Sequence, residues 1–211
     1  MLQLPFARPY IQGPILILLT STLLWFAEPW SFQQLAYHRD HVADLQWWRF
    51  VTGNLIHSNT IHFILNIVGA ITIWALYGDY YKTRKYIALT LICGLGCTIG
   101  IHFFALERTS YVGLSGAIHG LFAWGVVQDL KRKRFTGWIL LMGLVGKIVQ
   151  EQVQGGDDGI AALIETQVAS ESHLFGAITG AIIGIWDTFR YRLPDEENSI
   201  NDKLASSSPK T

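Results

Sequence analysis

Between short charged clusters and a polar C-terminal stretch, this chain runs for long distances almost without Asp, Glu, Lys or Arg. Runs of that kind are buried in a large core or in lipid. Soluble domains carry about 25% charged residues. Here the share is 15%, and 50% of a 211-residue chain is hydrophobic. These values exclude a disordered chain, a basic nucleic-acid-binding domain and an ordinary soluble enzyme. Sixteen basic residues balance sixteen acidic ones, so no strongly charged partner and no nucleic acid is implied. Cys93 and Cys97 are too few for a disulfide scaffold and wrongly spaced for a CxxC metal site. A small polytopic membrane protein remains.

A helix needs about 20 mostly apolar residues to cross the hydrocarbon core. Six stretches approach that length: 11–26 (with Pro14 in its early turns), 60–77, 86–106, 114–127, 135–149 and 173–189. The expected fold is all-α, a bundle of six transmembrane helices within residues 1–190. A polar tail over 191–211, rich in Ser, is expected to be disordered. No repeat and no second domain is evident. The first stretch reads as a retained helix, because Glu28-Pro29-Trp30 follows it in place of a small-x-small cleavage site.

Basic residues set the orientation. With the N-terminus inside, the inner segments hold Arg8, Lys82, Arg84, Lys85, Lys131, Arg132, Lys133, Arg134, Arg190, Arg192, Lys203 and Lys210, which is 12 of the 16. Arg39, Arg49, Arg108 and Lys147 lie outside or near the outer face. The bias predicts a multi-pass protein with both termini inside. The outer loop over 28–59 carries Trp30, Tyr37, Trp47 and Trp48, suited to the lipid–water boundary. A second outer loop, 150–172, is acidic and contains Gly155-Gly156-Asp157-Asp158.

Polar groups inside a span cost free energy, so they raise a functional hypothesis. The second, fourth and sixth spans carry them, and all three run from outside to inside. Their polar first turns therefore lie at one depth, near the outer leaflet. His62 and Asn66 share a helix face by their four-residue spacing, as do Ser115 and His119. The sixth span opens with His173 and continues through Gly176, Gly180 and Gly184. Glycines four apart let helix backbones approach closely, and Gly116 and Gly120 form a matching stripe on the fourth. Packing the two stripes together would hold His173 beside Ser115.

Serine beside histidine, with further donors nearby, is the equipment of acyl transfer. Ser115 would be the nucleophile and His173 the general base. The oxyanion would meet the side chains of His62 and Asn66 and the Ser115 N–H, which lacks an intrahelical acceptor at a helix start. The second, fourth and sixth spans offer no carboxylate to orient His173, so a dyad is expected rather than a triad. Neither a metal nor another cofactor is called for.

This arrangement resembles the rhomboid intramembrane serine proteases. The motifs His57-x4-His62-x3-Asn66, Gly113-x-Ser115-Gly116 and His173-x2-Gly176-x3-Gly180 fall in that family's order on its second, fourth and sixth helices. Trp48-Arg49 in the first outer loop also fits, and the likeness covers roughly residues 10–190. It implies a Ser115–His173 dyad, oxyanion contacts from His62 and Asn66, membrane-anchored protein substrates and a bacterial inner-membrane location. A narrower likeness is to the rhombosortase branch. Gly113 to Gly120, with His119 where common rhomboids carry Tyr, looks like that branch, as do Glu151-Gln152 and the segment 168–180. The narrower likeness implies cleavage of C-terminal Gly-Gly sorting tails.

Plainer readings stand beside these. Ser115 also reads as a packing residue or helix cap, and His62 with Asn66 as an interhelical hydrogen-bonding pair. His57 reads as a loop-shaping residue. His119 is a rival base, since a helical side chain leans toward the N-terminus and so toward Ser115. Cys93 and Cys97 read as small packing residues. Two other functions share the motifs: a metalloenzyme built on His57, His62, His119 and His173, which lacks HExxH and a carboxylate in its cluster, and a rhomboid-like pseudoenzyme. The oligomeric state is left open.

Overall fold

The computed structural model describes residues 4–190; the tail expected over 191–211 lies outside the described residues. Six long helices carry the structure: α1 (Arg8–Phe26), α5 (Thr60–Tyr77), α6 (Thr83–Phe104), α7 (Ser115–Lys131), α8 (Phe135–Gln154) and α10 (Ser170–Arg190). Short helices α2 (Trp30–Leu35), α3 (Arg39–Ala43) and α4 (Arg49–Thr52) fold the first loop, and α9 (Asp158–Ile164) lies in the last. The two-residue strands β1 (Tyr37–His38) and β2 (Ser110–Tyr111) pair antiparallel, with Tyr37 opposite Tyr111. The molecule is thus mostly helical with one strand pair, which ties the first loop to the segment leading into α7.

Among the described residues, three helices are long and apolar enough to cross a membrane on composition alone: α1, α5 with the turn after it, and α6. The expectation of six such stretches exceeds this. The reason lies in α7, α8 and α10, whose glycines and polar residues lower their apolarity. No residue of α7 is exposed, so α7 packs against protein on every side, touching α5, α6, α8 and α10. A helix shielded in that way needs less apolar surface than one facing lipid.

Local chemistry sets the helix ends. Asn59 caps α5 by accepting the His62 N–H at 2.9 Å, which orders the turn that carries His62. Asp157 caps α9 in the same way through the Ile160 N–H. At the far end of α6, Arg39 donates to the His102 and Ala105 carbonyls at 2.6 and 3.1 Å. Helix α1 begins at Arg8, three residues before the expected start, so Pro14 sits inside it rather than in its early turns. Pro14 has no N–H for the Tyr10 carbonyl, and the Trp74 indole donates to that oxygen instead at 3.2 Å.

The first loop, 28–59, is a folded unit. Trp30, Trp47 and Trp48 are exposed, as a boundary-seeking loop requires, but Tyr37 is fully buried against Tyr111 and Phe50. Arg49, also buried, holds the unit together: its guanidinium donates to the Gln46 side chain and to the Ala36 and Gln33 carbonyls.

The closest helix contact is α7 with α10. A Cβ added at Gly176 or Gly180 would collide with the carbonyl oxygen of Gly116 or Gly120. The two glycine stripes therefore face each other, and only glycine allows the approach. Cys93 and Cys97, both fully buried on α6, fill the remaining side of Gly120 and Gly116.

Candidate active site

Because α7 and α10 sit so close, the first turn of one meets the first turn of the other. Ser115 opens α7 and His173 stands in the first turn of α10; Ser115 Oγ lies 3.0 Å from His173 Nε2. Gly113 makes the entry possible. Its φ of +122° is a conformation that side-chain-bearing residues avoid, and a Cβ there would strike the His62 ring. Ser115 follows two residues later, at the N-terminus of a helix, where backbone N–H groups lack helical acceptors.

His62 and Asn66 come from α5. Ser58 donates its N–H to His62 Nδ1 at 3.4 Å, and its hydroxyl lies 3.0 Å from the same nitrogen. These contacts hold the His62 ring by its Nδ1 edge. Asn66 donates to the His62 carbonyl at 2.9 Å, and its second amide hydrogen remains available. Ser115, His173, His62, Asn66 and His119 together line one pocket of about 270 Å³. Leu65, Ile118 and Ile164 supply its apolar wall. Helix α9 closes one side: Ser58 Oγ donates to the Ile164 carbonyl at 2.8 Å and Asn59 to that of Leu163 at 3.0 Å.

His119 lies flat against His173, ring centres 4.0 Å apart and planes 17° apart. Its Nδ1 is 2.8 Å from the Ser115 carbonyl, which only accepts, so Nδ1 carries the hydrogen. The Ser115 hydroxyl is paired with His173. His57 does not line the pocket. It is 2% exposed, packed edge-on behind His62 and against Phe63. Burial, and secondarily the neighbouring His62, push its pKa down to about 3, so it is neutral. Gly116 belongs to the α7–α10 contact described above rather than to the pocket wall.

A dyad is expected because the second, fourth and sixth spans offer no carboxylate for His173. The carboxylate comes from another helix. Glu151, expected in the outer loop, lies in the last turn of α8, which continues to Gln154. Its Oε2 is 2.8 Å from His173 Nδ1, and its Oε1 accepts from Lys147 Nζ at 2.7 Å. The buried residues of α8 are Gly137, Leu144 and Glu151, spaced seven apart and hence on one face. Glu151 also alters the metal question. Among the described residues, His119, Glu151 and His173 offer donor atoms within 4.8 Å of one another, a set that includes a carboxylate and omits His57 and His62. Both nitrogens of His173 are already engaged, by Glu151 and Ser115.

Comparison with known proteins bears on this geometry. Residues 44–188, well over half of the chain, match the Rhomboid domain. The chain belongs to the rhomboid family. Among curated relatives, the rhomboid protease GlpG of Yersinia enterocolitica (serotype O:8 / biotype 1B) is 29% identical over 157 residues, covering 73% of this chain and 53% of that protein. The rhomboid protease GlpG of Yersinia pestis (strain Pestoides F) is 27% identical over 180 residues, covering 82% and 58%. This rhomboid therefore spans between half and three fifths of the length of those relatives. The family match begins at residue 44 and so takes in Arg49, His62, Asn66, Ser115, Glu151 and His173, on helices from α4 to α10.

Proposed function

We propose that this rhomboid-family chain is an intramembrane serine endopeptidase in which Ser115 attacks and His173 is the base. The observation that carries the reading is the 3.0 Å pairing of the Ser115 hydroxyl with His173 Nε2 at a pocket that also contains His62 and Asn66. Neutral His173 takes the hydroxyl proton as Oγ attacks a peptide carbonyl. The His62 side chain, the free Asn66 amide hydrogen and the Ser115 N–H converge on the oxyanion. The imidazolium then protonates the leaving amine, and water hydrolyses the acyl-enzyme. Substrates are transmembrane segments unwound near the outer face, because a helical peptide bond is shielded by its own hydrogen bonds. Stacked His119 fits a wall that holds the base's ring.

We infer six spans with both termini inside. The exposed apolar faces of α8 (Trp138, Met142, Val145, Val149) and α10 (Ile178, Ile182, Ile185, Phe189) support lipid contact by helices that fall short on composition. The lysine and arginine bias supports the orientation, and the family supports a bacterial inner membrane. Within the family, His119 and Glu151-Gln152 favour the rhombosortase reading, with C-terminal Gly-Gly sorting tails as substrates.

The test is coexpression of the full chain with a reporter bearing a Gly-Gly sorting tail. Wild type is expected to process it, and Ser115→Ala is not. Processing by both overturns the serine protease. Processing of unrelated membrane segments only, lost in Ser115→Ala, keeps the protease and removes the rhombosortase assignment. Turnover lost on chelation and restored by zinc replaces the reading with a metalloenzyme on His119, Glu151 and His173.

A further inference from the structure

We propose that Glu151 is a positioning residue for this reaction, the third member of a Ser115–His173–Glu151 relay drawn from three helices. The inference rests on the protease reading above and goes beyond the expected dyad. Glu151 is 6% exposed, and both its oxygens are engaged, one by His173 Nδ1 and one by Lys147 Nζ. An ionised carboxylate only accepts. Nδ1 therefore carries the imidazole hydrogen, and the Nε2 lone pair is aimed at the Ser115 hydroxyl. The ring cannot turn over without losing both hydrogen bonds, and stacked His119 blocks tilting.

The relay has a defined balance. As the Oγ–C bond forms, the hydroxyl proton moves to Nε2 and the carbonyl π pair moves to oxygen. His173 is then an imidazolium, and the adjacent Glu151 charge offsets it in a site of low polarity. The carboxylate stays ionised, and the Nδ1 proton stays on Nδ1. When the C–N bond breaks, its electron pair goes to nitrogen, which takes the proton from Nε2.

A structural alternative is that Glu151 only fastens α8 to α10. Gln152 makes such a fastening next door, donating to the Ser170 carbonyl at 3.0 Å. Gln152→Ala is therefore the matched control, removing a tie and leaving the carboxylate. The groups facing His173 are Ser115 and His119 on α7, Glu151 and Lys147 on α8, and His62 on α5. Of these, Glu151 carries the negative charge that favours the imidazolium. Removing it takes away that support as the proton reaches Nε2, so kcat falls while KM does not.

The experiment measures kcat and KM for the full chain in lipid. Glu151→Gln is expected to lower kcat by about 10²–10⁴-fold with KM little changed. Glu151→Asp should restore part of that loss, while Gln152→Ala leaves kcat near the wild-type value. Wild-type kcat in Glu151→Gln overturns the relay. So does an equal fall in Gln152→Ala, or lost activity with no rescue by Asp. Should the variants fail to fold, ¹⁵N-histidine NMR of the wild type decides: His173 carrying its hydrogen on Nδ1 is expected, and a hydrogen on Nε2 overturns the proposal. Ser115→Ala is run in parallel. If it retains turnover, the protease reading fails; if it alone is dead, only the relay fails.

Discussion

The two ends of the α7–α10 pair bury the same kind of group. At the pocket end Glu151 is 6% exposed and paired with Lys147 and the His173 ring; at the far end Asp187 is 7% exposed and paired with Lys85 and the Trp124 indole. By burial and ion pairing the two carboxylates are hard to tell apart. They differ in what lies beyond. The indole N–H of Trp124 donates and does nothing else, and Asp187 is not among the residues lining the pocket. The imidazole of His173 can take and return a proton, and on its far side stands a hydroxyl facing open space. A buried ion pair is thus weak evidence of function until its partner's chemistry and the adjoining cavity are known. The far pair reads as a clamp for α6, α7 and α10, and the pocket pair as part of the proposed relay.

Substitutions at the two ends should separate these roles. The largest effect is expected at the pocket end: Ser115→Ala lowers turnover of a cleavable reporter by about 10⁶-fold, with little change in unfolding midpoint. Glu151→Gln follows, as set out above. At the far end Asp187→Ala should do the reverse. It removes the carboxylate that Lys85 and the Trp124 N–H share and costs about 3 kcal/mol of stability. Denaturant unfolding in detergent would detect the loss, with kcat of the folded fraction unchanged. A large fall in that kcat would erase the distinction between the ends.

Smaller effects refine the picture. Gly180→Ala forces a Cβ against the Gly120 carbonyl between the two ends. It should cost about 1–3 kcal/mol and weaken both carboxylate sites together, and unchanged unfolding would show that the helices separate freely. The smallest effect concerns pH. Folded His57 is held neutral by burial, its pKa pushed from 6.5 to about 3. Below pH 6.5 the unfolded chain binds a proton that the folded chain refuses. The stability is therefore complete above that pH and is lost as pH falls toward 3. Its size is about 1 kcal/mol at about pH 5.5. His57→Leu should flatten this slope in acid unfolding curves, and an undiminished slope would assign it to other groups.

Several features were open to reading from residue order alone. Charge-free runs located the six long helices to within a few residues at most ends, because apolar length and breaker residues are local properties. Glycines at four-residue spacing predicted which faces of α7 and α10 would meet. Serine and histidine at matched positions on those faces predicted the pairing seen at 3.0 Å. These inferences need only helical periodicity and the order of the helices.

Other features depended on the packed chain. Nothing local distinguishes Glu151, in the last turn of α8, from a solvated loop acid; its role depends on where α8 lies against α10. The full burial of Tyr37 follows from pairing with Tyr111, 74 positions away. His57 and His62 look alike in sequence, yet one faces the pocket and the other packs behind it. Periodicity says which residues share a face. What that face meets is decided by long-range contacts, and those set whether a buried polar side chain becomes a lock, a filler or a participant in chemistry.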